Sequence, residues 1–142
     1  MNLFSDVVRI IANVSWAADI SAVLIFMIIS GIWYSPLIFG KTWRNLVGLT
    51  NEQFQKRALI CMLWNTPIVF LIAANIAAFC KHFDYDTAME GMLIGYDLGL
   101  IICLFLAIQY IYEQRPLKLY GISAGHILLS MTLMGMAIGS LI

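Results

Sequence analysis

Charge is distributed so unevenly along this chain that it dictates the kind of fold available. Of its sixteen charged residues (eight Lys and Arg, eight Asp and Glu), all but Asp97 fall into four clusters. Between the clusters, Ile20 to Gly40, Ala58 to Cys80 and Leu119 to the C-terminus carry no charge, and Gly91 to Tyr112 carries only Asp97. A helix crossing a bilayer needs ~20 mainly apolar residues at a rise of ~1.5 Å each. All four runs meet that length. The pattern predicts an all-α integral membrane protein with four spans at about 17–36, 58–80, 88–111 and 119–141.

Composition agrees with lipid as the solvent. Hydrophobic residues make up 62% of the chain and charged residues 11%, against about 25% charged in a soluble domain. A globule of this size still exposes about 30% of its unfolded-chain surface, so lipid must cover the excess apolar area. A formal net charge of zero gives no footprint for nucleic acid. With no linker, repeat array or low-complexity stretch, residues 1–142 read as one transmembrane domain.

The N-terminus lacks the basic start and short apolar core of a signal peptide. Leu3, Val7, Ile10, Ile11 and Val14 recur at helical spacing opposite Ser5, Asp6, Arg9 and Asn13, which predicts a short amphipathic helix lying in the interface. Orientation follows from the basic residues of the connections. Lys41, Arg44, Lys56 and Arg57 in the first and Arg115 and Lys118 in the third oppose Arg9 and Lys81 on the other side. The positive-inside rule therefore places connections one and three in the cytoplasm and both termini in the periplasm.

The first connection carries structure signals of its own. Ser35-Pro36 should end the first span, because the residue before proline avoids helical geometry and Pro36 has no N–H. Trp33, Tyr34, Phe39 and Trp43 form an aromatic belt at headgroup level, joined by Lys41, Arg115 and Lys118 in a cytoplasmic collar. Gly48 closes this element, and Thr50 with Gln53 makes a capping box for a short helix leading into the second span.

Helices in lipid associate through close packing and interhelical hydrogen bonds rather than the hydrophobic effect. Gly91, Gly95 and Gly99 on the third span and Gly121, Gly125, Gly135 and Gly139 on the fourth read as packing ridges. Polar residues occupy other faces. Glu90 and Asp97 share a face turned roughly 150° from the glycines of the third span. Ser123, His126 and Ser130 share a face nearly opposite those of the fourth. With the two ridges packed together, Asp97 and His126 point apart, and their partners must come from the first two spans or from another protomer. A homo-oligomer, or a protomer enclosing a small polar cavity, follows as the expectation.

Asp97 lies roughly 13 Å in from Ala88, deep in a ~30 Å core. Intramembrane carboxyls are costly and usually face protein or water, so Asp97 is a candidate proton- or cation-handling group, or else a helix-locking one. His126 is a candidate proton relay or a packed neutral imidazole. Asn65 and Asn75 on the second span are expected to face inward. Pro67 frees the carbonyl of Leu63, which needs a nearby donor.

Signatures of catalysis and metal binding are poor. Cys61, Cys80 and Cys103 lie in separate stretches and read as apolar fillers. His82, Asp84 and Asp86 alternate in the second connection, but two histidines in the whole chain make a closed transition-metal site hard to build. No phosphate loop, dinucleotide glycine fingerprint or HExxH is present. No metal and no cofactor is expected, and the chain is not read as an enzyme.

The run Trp33-Tyr34-Ser35-Pro36-Leu37-Ile38-Phe39-Gly40-Lys41-Thr42-Trp43 resembles the signature of a bacterial membrane family known as domain of unknown function 1761. Ala88-Met89-Glu90-Gly91, Arg115-Pro116-Leu117-Lys118-Leu119 and Met134-Gly135 are similar to later blocks of that family, in its order. Similar proteins tend to read Asn-Ala-Gly-Tyr-His in the last span, where this chain has Ser123-Ala124-Gly125-His126. That one-residue shift turns the imidazole by ~100°. The resemblance implies a four-span bacterial inner-membrane protein and no particular activity. The residues themselves point to a small membrane component that binds or passes a small solute, ion or proton near the Glu90/Asp97 face. The alternative is a structural or assembly protein without transport, its protein partners unknown.

Overall fold

The computed structural model describes residues 15–142 of the chain, and the amphipathic stretch expected before them lies outside the described residues. Five helices follow in order: α1 (Trp16–Trp33), α2 (Gly40–Val47), α3 (Asn51–His82), α4 (Ala88–Tyr112) and α5 (Leu117–Leu141). No strand occurs among the described residues. Four of the helices, α1, α3, α4 and α5, are long and apolar enough to cross a membrane. Large apolar side chains such as Ile20, Leu24, Ile28 and Ile32 on α1 stay exposed along their helices, leaving the bundle an apolar exterior.

Helix ends follow the local signals. α1 stops at Trp33, three residues before Pro36, and the chain folds back through Phe39 N–H to Trp33 O (3.1 Å) and Gly40 N–H to Ser35 O (2.9 Å). Only glycine fits at position 40, since a Cβ there would lie 2.1 Å from Tyr34 O. α2 closes on Gly48 at φ 73°, the left-handed cap that glycine supplies without strain. The capping box of Thr50 and Gln53 is present. It opens no separate helix, however. α3 runs unbroken for 32 residues, about 48 Å at the standard rise, because nothing between Gln53 and the second span interrupts it. Pro67 is accommodated inside α3, and Thr66 Oγ1 donates to Met62 O at 2.8 Å, one carbonyl short of the one the ring frees.

α5 is the central helix and touches each of the others, most extensively α4 and then α1. The α4–α5 contact is a glycine crossing. A Cβ on Gly91 would lie 2.2 Å from Gly135 O, one on Gly95 2.1 Å from Met131 O, and one on Gly139 2.3 Å from Thr87 O. Gly99 sits against the Met131 side chain. The other two glycines of α5 behave differently. Gly125 faces the Trp33 ring of α1, and Gly121 is exposed, with no atom within 4 Å of the place a Cβ would take. Geometry explains this departure from a single ridge. The ten residues from Gly125 to Gly135 turn ~1000°, which is ~80° short of three turns, so the two pairs address different neighbours.

On the other side of α5 the core joins Ala18 and Ala22 of α1, Ala73, Ile76, Ala77 and Cys80 of α3, and Met131, Met134 and Ile138 of α5. Small side chains again let the helices approach. Asn65 and Asn75 do not take the inward positions expected of them. Both are exposed, because the inward stripe of α3 is Val69, Ala73, Ile76, Ala77 and Cys80.

Candidate functional site

The buried polar groups of the bundle lie along the α1–α5 contact. Asp19, in the first turn of α1, is wholly buried. Neither of its carboxylate oxygens has a hydrogen-bond partner among the described residues. Lys81, in the last turn of α3, is near enough for its charge to act on this carboxyl, and the free amides opening α1 favour a negative group there. Ser130 of α5 is also wholly buried, with its hydroxyl oxygen unpartnered.

His126 precedes Ser130 by one turn of α5 and is almost completely buried. Its Nε2 pairs with Ser30 Oγ of α1 at 2.9 Å. Phe26, Tyr34 and Trp33 pack their rings around the imidazole at centroid distances of 5.3, 5.1 and 6.3 Å. Trp33 is fixed in turn by an Nε1–H bond to Ile122 O at 3.0 Å, with Gly125 leaving room for its six-membered ring. Beyond His126 the polar trail continues in Ser123, whose hydroxyl lies 3.3 Å from Tyr110 OH.

These groups are in register. Asp19 and Ser30 are eleven residues apart, so they differ by only ~20° around α1 and ~16 Å along it. His126 and Ser130 are spaced by one turn on the facing helix. Asp19 thus marks the end of the bundle where α1 begins, and His126 with Ser30 marks the other end, with Ser130 on the helix that joins the two levels. Ala18, Ala22, Met134 and Ile138 of the same two helices are buried in the apolar core. A carboxyl in such surroundings has two chemical options: hold a proton, or hold a cation that replaces the missing donors.

The residues singled out from sequence are not brought together. Glu90 caps α4: Thr87 Oγ1 donates to its Oε2 at 2.6 Å, and the Thr87 N–H bonds the same oxygen at 3.1 Å. Asp97 is exposed on the flank of α4 away from the glycines. Asn75 turns its amide back on its own helix, donating from Nδ2 to Leu71 O at 2.7 Å. Asn65 is exposed on α3. Of the five, His126 alone enters the interior. Asp19 was missed because it abuts the uncharged run that starts at Ile20 and so reads as the edge of a charged cluster. Its recurrence with Ala22, Phe26, Ser30 and Trp33 at three- and four-residue steps is the signal that places it on an inward stripe.

The collar residues gather at the end of the bundle that holds α2. Trp33 packs on Phe39 (4.8 Å), Tyr34 on Trp43 (5.3 Å) and Trp43 on Phe54 (6.0 Å). Arg115 lies over the Tyr110 ring at 5.4 Å and pairs with Glu113. Lys41 and Lys118 remain exposed, as does Pro36. Among the described residues, no three of His, Cys, Asp and Glu gather closely enough to hold a metal ion.

Comparison with curated proteins finds no match, and comparison with solved structures finds none either. The profile of one family, described as a protein of unknown function (DUF1761), matches residues 18–139, which takes in nearly all of every helix that could span a membrane, and the chain belongs to that family.

Proposed function

We propose that this protein resides in the bacterial inner membrane with both termini periplasmic, and that it takes up and passes a proton through the α1–α5 contact. Asp19 is the carrier group. One observation supports this reading above the rest: Asp19 is a wholly buried carboxyl with no hydrogen-bond partner for either oxygen among the described residues. A carboxyl kept only to lock helices together would be bonded across the interface, as His126 is to Ser30. This reading moves the site from the Glu90/Asp97 face to the interior, since Glu90 is occupied as a helix cap and Asp97 faces outward. The role is non-enzymatic. The topology rests on the six basic residues of the first and third connections against two on the opposite side.

Infrared difference spectroscopy in bilayers tests the proton assignment. A pH step is expected to change a carboxyl C=O band that disappears in Asp19→Asn. A spectrum in which Asp19→Asn removes no titrating band overturns it. For the topology, a phosphatase reporter fused after Ile142 is expected to be active, and a silent fusion in cells that express it contradicts the orientation.

A further inference from the structure

Asp97 and Asn75 are both exposed polar side chains deep within apolar helices. Each can be placed relative to the short connection, residues 83–87, that joins α3 to α4. Asn75 precedes the end of α3 at His82 by seven residues, and Asp97 follows the start of α4 at Ala88 by nine. At the helical rise these are depths of ~10 and ~13 Å. They stand at the same level of the membrane.

Each also points away from the buried side of its own helix. On α3, Phe70 stacks on Trp16 at 5.7 Å and marks the side facing α1; Asn75 is turned ~140° from it. On α4, Gly95 marks the side facing α5; Asp97 is turned ~160° from it. Ile72 of α3 and Ile94 of α4 pack partly against the shared core. Asn75 and Asp97 each lie three residues beyond that isoleucine. Because the two helices run antiparallel, this three-residue step turns the two side chains by ~60° in opposite senses, and each lies on the exposed side of its own helix. Ile68, Leu71, Phe79, Ile101 and Leu104 are exposed on the same two helices.

We propose that this face is the interface of a homodimer, in which Asp97 of each copy accepts a hydrogen bond from Asn75 of the other. A two-fold axis along the membrane normal preserves depth, so a residue can meet only residues of the second copy at its own level. Asp97 requires a donor in lipid, and no bond to its carboxyl is formed within the protomer among the described residues. Asn75 has the complementary group. One of its two amide hydrogens is used on Leu71 O, and the second is left for an acceptor. The face is therefore self-complementary: it carries donor and acceptor together, and rotation brings each onto the other. Lipid alone would leave both unsatisfied. This inference is independent of the proton reading and survives its failure.

Cross-linking of the full chain in native membranes tests it, in a Cys61→Ser background that removes the exposed native thiol. Copies carrying Asn75→Cys and copies carrying Asp97→Cys, co-expressed with different tags, are expected to form a mixed disulfide dimer on mild oxidation. No mixed dimer, or an Asp97→Cys dimer formed more readily with itself, overturns the pairing. Single-molecule photobleaching in dilute liposomes gives a second readout that needs no cysteine. Wild type and Asp97→Asn are expected to show two-step bleaching, while Asp97→Leu and Asn75→Leu raise the dissociation constant about tenfold. Wild-type protein that stays monomeric at every density, or Asp97→Leu that dimerises like wild type, contradicts the proposal.

Discussion

Asp19 and His126 show how differently two polar side chains can be treated inside the same interface. The imidazole has a hydroxyl partner for Nε2 at 2.9 Å and three aromatic rings around it. The carboxyl has no hydrogen-bond partner among the described residues and feels the charge of Lys81. An unpartnered buried polar group costs about 1–3 kcal/mol, and its persistence calls for a use. Asp19→Leu, which keeps the branched skeleton without the polar oxygens, is accordingly expected to raise unfolding stability in detergent by about 1–3 kcal/mol. Stability that falls instead would mean the carboxyl is bonded in the membrane and structural. This residue was hard to find in sequence because charge clustering, the signal that reveals the spans, also groups Asp19 with Asp6 and Arg9. His126 was legible, since an isolated histidine in an uncharged run has nothing to be grouped with.

At the scale of helices, sequence spacing was informative wherever one steric rule governs. Glycines four apart predict close approach, and Gly91, Gly95, Gly135 and Gly139 meet with backbone atoms where a methyl would have to go. The same rule failed for Gly121, because a spacing repeated over a whole helix drifts around it, leaving Gly125 against Trp33 and Gly121 in open space. Gly95→Ala must push α4 away from the Met131 carbonyl and is expected to destabilise the bundle by at least about 1–3 kcal/mol. Gly121→Ala meets open space and is expected to change stability by less than about 0.5 kcal/mol. Steric trapping or denaturant unfolding in micelles compares the two; equal losses would contradict the glycine crossing. The burial of helix faces was less legible. Asn65 and Asn75 lie on an apolar helix with almost no amphipathic contrast, so composition says that the helix is in lipid without saying which side is in protein.

For the whole molecule, three apolar helices around a central, equally apolar α5 leave two kinds of buried surface to explain. The glycine crossing brings α4 and α5 together backbone against backbone, with polar contacts of Cys103, Tyr110 and Tyr120 further along the same pair, whereas the α1–α5 contact carries the Ser30–His126 pair and the buried Asp19 and Ser130. Asp97 and Asn75 are exposed on α4 and α3, outside this interior. The spans, their order and the glycine crossing could all be read from the chain, because length and charge decide them locally. The polar contact could not, because it depends on which faces of α1 and α5 meet. Proton flux into liposomes reconstituted with the full chain, followed by a trapped pH dye under an imposed gradient, tests the central claim most directly. Wild type is expected to dissipate the gradient faster than empty liposomes, and Asp19→Asn, reconstituted to the same density, to reduce that excess at least tenfold. Wild-type liposomes no leakier than empty ones, or Asp19→Asn as fast as wild type, would contradict it.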